Sequence, residues 1–386
     1  MTFPGLSSLD GALKRRILWG LVVALAVFGA GDAWKLIHFQ PLGVDFLPLW
    51  TAGRMVWSPH APVYDFAAVT HAQDWLLPGF RWMRPFAYPP TALLLLAPFG
   101  ALPFWPALSL WLGLSVAAFV YAGRRLAGDR EGLALILMLL SPAVLLAAMV
   151  GQSVILAAAL VTLAMVDLKQ HPRRAGVWLA LAAAIKPQAV LLAPVALLAG
   201  GAVETLVSAA VVGSLILALS VAVFGVGLWS QWLAVLPAFD KVILATPGLP
   251  RWVITPQGAA IRLGLTGAAS LIWRTAFGLF GAGLAWMTFA RATDPARRLA
   301  ALGAGSLLVA PYAMPSDAAV LVPAAVAIAI GRLETPGWLA GVLALGAVCA
   351  VTTPGVGLVC VLAFAVLTGF DLAGLRSRSP AAVAAR

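Results

Sequence analysis

The chain has 386 residues, of which 62% are apolar and only 10% charged. Soluble domains carry roughly 25% charged residues, and so few polar groups cannot cover a water-facing globule of this size. The formal net charge of +11 would suggest nucleic acid in a soluble chain. Here Lys and Arg instead gather in short clusters between apolar runs, around 14–16, 124–130, 169–174, 291–298, 332 and 376–386, the pattern of cytoplasm-facing topology signals. No nucleic-acid partner is expected. The apolar runs are continuous, unlike the ~10-residue alternating segments of membrane barrels. The fold class is therefore all-α, a polytopic helical membrane protein.

In chain order, Lys14, Arg15 and Arg16 precede an apolar run over 17–33. It is longer than the 7–15 residues usual for a signal-peptide core, and it reads as a retained first helix with its N-terminus in the cytoplasm. The least hydrophobic stretch follows, a first external loop over about 37–89. It carries Asp45, Arg54, Tyr64, Asp74, Arg84 and Tyr88, together with Trp50, Trp57, Trp75 and Trp82. Tryptophan favours the headgroup level of a bilayer, so this loop is expected to lie on the membrane, partly as interfacial helices.

Apolar segments are then predicted at 90–102, 104–122, 133–150, 154–166, 175–185, 189–199, 206–224, 271–290, 299–310, 318–330, 337–351 and 355–367. Several are shorter than the ~20 residues of a full span. The expected total is 11 to 13 transmembrane or half-depth helices. A second polar loop is expected at 225–258, with Trp229, Trp232, Asp240, Lys241, Arg251 and Trp252. Residues 1–375 read as one membrane-embedded domain and 376–386 as a basic, disordered cytoplasmic tail. If the basic clusters face the cytoplasm and the first loop faces outward, residues 90–122 must cross an odd number of times. One of the short pieces between 89 and 131 must then be re-entrant or half-depth.

There is no GxxxxGK[ST] phosphate cradle and no HExxH zinc motif. Four His and two Cys give no metal-ligand spacing, and Cys349 and Cys360 sit in apolar runs. No metal and no cofactor are expected. The candidates for chemistry are polar groups embedded in apolar sequence, which are costly in a bilayer and therefore point to function. Asp45, among apolar neighbours, suits a general base or a helix cap. Lys186, before the helix break at Pro187, suits an anionic phosphate, a snorkelling position or an ion pair with Asp317. Gln152 and Gln257 are amides at helix starts, suited to sugar hydroxyls or to helix contacts. Asp317, between Pro315 and the next apolar run, suits a cavity or a cap. Tyr88 offers a phenol at the rim of that cavity or an interfacial anchor. With no nucleotide site, a sugar or phosphate donor used here would arrive on a lipid.

Six stretches, in order, resemble bacterial glycosyltransferase family 87: GVDFLPLWTAGR, APVYD, FAYPPTALLLLAPFGALP, SPAVLLAAMVGQSVILAA, AAIKPQAVLLAPVALL and VAPYAMPSD. The resemblance covers about 45–323, most of the chain. The resemblance implies a GT-C-like fold with a long first periplasmic loop. It implies a hexosyltransferase, mannosyltransferase-like, moving the sugar from a polyprenyl-phosphate donor to a glycan or glycolipid acceptor with inversion, in the bacterial inner membrane with the site facing the periplasm. On this reading Asp45 is the base. Lys186 and Arg251 hold the donor phosphate, and Arg54, Tyr64, Tyr88, Gln152, Gln257 and Asp317 contact substrate. The chain departs from the family pattern at Pro256 and Gly258, around Gln257, and at Asp317, near which some members carry His. A transporter or flippase for a lipid-linked substrate, or a non-catalytic subunit of an envelope assembly, are the alternatives. A transporter favours inverted repeats and paired broken helices, which are not evident here.

Overall fold

The structure is a computed structural model that describes Arg16, Gly20 and residues 41–58, 61–77, 83–246, 248–332, 335 and 337–376. The expected first helix at 17–33 and most of the basic tail lie outside the described residues. The chain is a polytopic helical membrane protein, with seventeen α-helices and no strand among the described residues.

The first polar stretch holds two short helices, α1 (Phe46–Met55) and α2 (Phe66–His71). The run 90–122 forms α3 (Pro90–Gly100) and α4 (Phe104–Ala127). At ~1.5 Å per residue, the 11 residues of α3 fall well short of a ~30 Å hydrocarbon core, whereas the 24 residues of α4 suffice. Of the pair, α4 alone is long enough to span the core. The segment expected as one helix over 133–150 is two, α5 (Glu131–Leu139) and α6 (Pro142–Val150), because Pro142 sits in a first turn and starts a new helix.

Next come α7 (Val154–Asp167), α8 (Pro172–Ile185), α9 (Ala193–Ala199) and α10 (Val203–Phe224). The stretch expected as a second polar loop contains a 20-residue helix, α11 (Val226–Ala245), which continues through Pro237. The chain ends with α12 (Pro256–Arg262), α13 (Gly267–Arg291), α14 (Pro295–Val309), α15 (Val322–Gly331), α16 (Trp338–Ala350) and α17 (Gly357–Arg376). Among the described residues, three stretches are long and apolar enough to cross a membrane, Phe104–Leu139, Val203–Phe224 and Gly267–Arg291.

Two buried clusters hold the helices. The larger joins α7, α8, α14 and α15 through small side chains such as Ala157, Ala158, Ala300, Ala301, Ala324 and Ala325. Small residues let helix backbones approach where lipid supplies no hydrophobic drive between them. Of Gly278, Gly281 and Gly283, Gly281 serves such a contact, since a Cβ there would lie 2.9 Å from the Gly305 carbonyl oxygen. The smaller cluster is aromatic. Phe46 stacks on Trp111 at 5.5 Å, and Phe99 meets Trp111 edge-on at 5.4 Å, fixing α1 against α3 and α4.

The α1–α3 contact is backbone to backbone. A Cβ on Gly53 would overlap the Leu96 carbonyl, and one on Gly100 would overlap the backbone of Gly53 and Arg54. Gly53→Ala is expected to force the helices apart and to cost about 1–3 kcal/mol, as overpacking does. Gly113→Ala, in open space on α4, is the control. Thermal unfolding in detergent should separate them, and equal melting temperatures would contradict the close packing.

Two of the basic clusters, 124–130 and 169–174, meet at one end of the helices. Asp167, at the end of α7, pairs with Arg125 at 3.0 Å and Arg174 at 3.3 Å, and accepts a bond from Trp178 Nε1 at 2.9 Å. Arg130 donates to the Ile330 carbonyl at 2.7 Å, bringing α15 to the same end. From here α7 and α15, traced backward, and α8, traced forward, all lead to the opposite end, where the polar candidates lie.

Candidate functional site

Three chain reversals at that opposite end build the site. The first is the approach to α1. Gly43 and Asp45 donate their backbone N–H groups to the carbonyls of Met149 and Val150, both at 2.8 Å. The second is the link between α6 and α7. Gly151 closes α6 with φ +76°, where a Cβ would collide with the Phe46 side chain, so only glycine suits both the turn and the contact. The backbone pairing and this turn place Gln152 beside Asp45. The third is the break after α8, where Lys186 precedes the 3-10 turn Pro187–Val190.

The side chains meet in one network. Gln152 Nε2 donates to Asp45 Oδ2 at 3.0 Å. Lys186 Nζ donates to Gln152 Oε1 at 3.1 Å and forms an ion pair with Asp317, with the two side chains 3% and 5% exposed. Tyr88 Oη lies 3.3 Å from Gln152 Oε1 and 2.9 Å from Ser153 Oγ. Asp45, Gln152, Lys186, Asp317 and Tyr88, from five separate segments, thus form a single chain of contacts.

The geometry decides several of the open sequence readings. Asp45 stands at the N-cap of α1, yet its side chain caps nothing. Lys186 is buried beside Asp317 and does not snorkel. Asp317 does two jobs: one oxygen faces Lys186, and Oδ2 accepts from the Met314 backbone N–H at 2.8 Å, closing the 3-10 turn Pro315–Val320. Tyr64 lies one layer back, donating from its hydroxyl to the Tyr88 carbonyl at 2.8 Å. Trp232 of α11 donates to the Ala87 carbonyl at 3.1 Å, so the unexpected helix also holds the Tyr88 segment.

Arg84 is the buried anchor of the first loop, bonding Gln73 at 2.8 Å and Asp74 at 3.0 Å. Gln257 begins α12 with Oε1 buried and without a hydrogen-bond partner. Its segment lies beside the Pro311–Asp317 stretch, since Ile254 N donates to the Ala313 carbonyl at 3.0 Å. Arg54 and Arg251 are not brought into the network. Arg54 is exposed, with its guanidinium over the Trp50 ring at 5.6 Å. Arg251 is exposed on the 3-10 turn Leu249–Arg251.

Two members were not picked out in the sequence. Ser153 follows Gln152 directly and bonds Tyr88. Tyr312 lies in the stretch before the turn that carries Asp317, and its phenol is held well above the usual range by burial and by the carboxyl groups of Asp45 and Asp317, so it stays protonated. The proximity of Tyr312 to Asp317 in sequence was the available signal.

The electrostatics centre on Asp45, which lies outside the membrane-spanning helices. Burial pushes its carboxyl up to about 6, against the lowering effects of the Gln152 hydrogen bond and the Lys186 charge. A carboxylate titrating near 6, with a buried ammonium and an amide at hand, can accept a proton from a hydroxyl near neutral pH.

The model for Glycosyltransferase family 87 matches residues 86–315. No curated protein and no solved structure matches the chain.

Proposed function

The chain belongs to glycosyltransferase family 87 and is a membrane glycosyltransferase, and we propose that it moves a hexose, mannose in the first instance, from a polyprenyl-phosphate donor to an acceptor hydroxyl with inversion. The carrying observation is the single network that joins Asp45 to Lys186 and Asp317 at the end of the helices opposite the basic clusters. Positive residues favour the cytoplasmic side, so this end faces the periplasm of a bacterial inner membrane. The sequence carries no nucleotide-phosphate cradle, and on this reading a lipid-borne donor reaches the site from the bilayer.

In this reading Asp45 takes the proton from the acceptor hydroxyl as its oxygen attacks the anomeric carbon. The bond from that carbon to the phosphate oxygen breaks, and the lipid phosphate leaves with the electron pair. Lys186 is the cation within reach of the leaving group, binding phosphate as a point charge. Tyr88, Tyr312 and the unpartnered carbonyl of Gln257 supply hydrogen bonds to sugar or acceptor hydroxyls. Tyr64 fixes the Tyr88 segment.

The titration of Asp45 gives the pH test. The base works only when ionised, so a carboxyl raised to about 6 places the acid limb of kcat/KM there, with activity rising between about pH 5 and 7 and falling tenfold per unit below the limb. Initial rates of label transfer from a polyprenyl-phosphate hexose across this range provide the measurement. A profile flat down to pH 4.5 would contradict the role of Asp45.

A further inference from the structure

Gln152 is more fully bonded than a simple sugar contact requires. Its carbonyl oxygen already has Lys186 Nζ at 3.1 Å and Tyr88 Oη at 3.3 Å, and its amide nitrogen already donates to Asp45 Oδ2. An ammonium can only donate, so the amide oxygen must face Lys186 and the NH2 must face Asp45. The backbone fixes the same relation, because Asp45 N–H donates to the Val150 carbonyl two residues before Gln152 and Gly151 turns the chain between them. No described residue donates to Asp45 Oδ1.

We infer that Gln152 is the positioning residue of Asp45: its amide, oriented by Lys186, holds Oδ2 and turns Oδ1 toward the incoming acceptor hydroxyl. This rests on Asp45 being the base. The groups that face Asp45 are Lys186 from the end of α8, Asp317 from the turn before α15, Tyr312 from the stretch leading into that turn, and Tyr88 from the segment before α3. Gln152 is the one that donates directly to its carboxylate. A hydrogen bond donated to the ionised form favours that form, so its removal disfavours it.

Two variants test the inference, read by the pH dependence of kcat/KM for transfer from a polyprenyl-phosphate hexose in the full-length protein. Gln152→Leu removes the donor and is expected to move the acid limb up by about one pH unit, the scale of one hydrogen bond to a charged group. Above pH 8 the rate should level off at a plateau below that of the wild type, since Oδ1 is no longer held toward the acceptor. Gln152→Glu keeps the size of the side chain but sets a second carboxylate against Asp45, and should move the limb up at least as far. An unmoved limb in both variants, or loss of activity at every pH in both, would overturn the inference, since a merely structural role lowers the rate without moving the limb. Asp45→Asn in the same preparations separates the two claims. If it is active, the base assignment fails and the inference with it. If it is inactive while the Gln152 limb stays unmoved, the inference alone fails.

Discussion

Replacing Asp45 by Asn or Ala is expected to abolish sugar transfer while leaving the protein inserted and folded. General-base assistance contributes typically 10²–10⁴-fold, so the residual rate should fall by at least about a hundredfold. Among the described residues the side chain accepts one hydrogen bond, from Gln152, and it caps no helix, so its loss removes little structure. What anchors α1 is the aromatic packing of Phe46 and the backbone bonds to Met149 and Val150, none of which depends on the carboxylate. The check pairs a transfer assay with detergent size exclusion. A variant that elutes as wild type and retains near-normal rates would remove Asp45 from the chemistry.

The second large effect falls on the buried pair of Lys186 and Asp317. Removing one partner leaves an uncompensated charge in a buried site, which costs about 3–5 kcal/mol. Lys186→Ala should therefore lower both stability and activity, and activity alone cannot interpret it. Replacing both partners, Lys186→Met with Asp317→Leu, removes both charges together and should restore much of the melting temperature. Transfer should not return, because the cation for the donor phosphate is gone. In whatever activity Lys186→Ala retains, the KM for the lipid donor should rise more than that for the acceptor. Equal effects on both substrates, or transfer regained in the double variant, would assign the pair to structure alone.

Much of the site was legible because polar groups are scarce in this chain. Asp45, Gln152, Lys186 and Asp317 stood out against apolar neighbours, and the bilayer makes each such group costly unless it has partners. The pairing of Lys186 with Asp317 was one of the open alternatives, and the structure places the two in contact. Tyr312 and Ser153 were not picked out, because neither carries a charge and each stands beside a stronger candidate, Asp317 and Gln152, that drew the reading. Arg54 and Arg251 were drawn in by charge alone, and their surroundings hold them elsewhere: Arg54 lies over an indole, and Arg251 is on an exposed turn.

The fold was legible in class and less so in its breaks. Hydropathy marked the apolar runs but passed over the division at Pro142, because the residues on both sides are equally apolar. At 225–258 the tryptophans and the charged residues Asp240, Lys241 and Arg251 suggested a polar loop. Yet α11 forms there, with Trp232 directed to the first loop and Phe239 edge-on to Tyr312 at 5.3 Å. These tertiary contacts favour helix over the local polar signals, and hydropathy cannot see them.

The central claim is that this membrane glycosyltransferase draws its sugar from a lipid phosphate. It is tested most directly by incubating the purified full-length protein with a labelled polyprenyl-phosphate hexose and a simple alkyl glycoside, with the matching nucleotide-sugar in a parallel reaction. The anomeric configuration of the product is then read by NMR. The account predicts label transfer from the lipid donor alone, with inverted configuration. Transfer from the nucleotide-sugar, or a product of retained configuration, would contradict it.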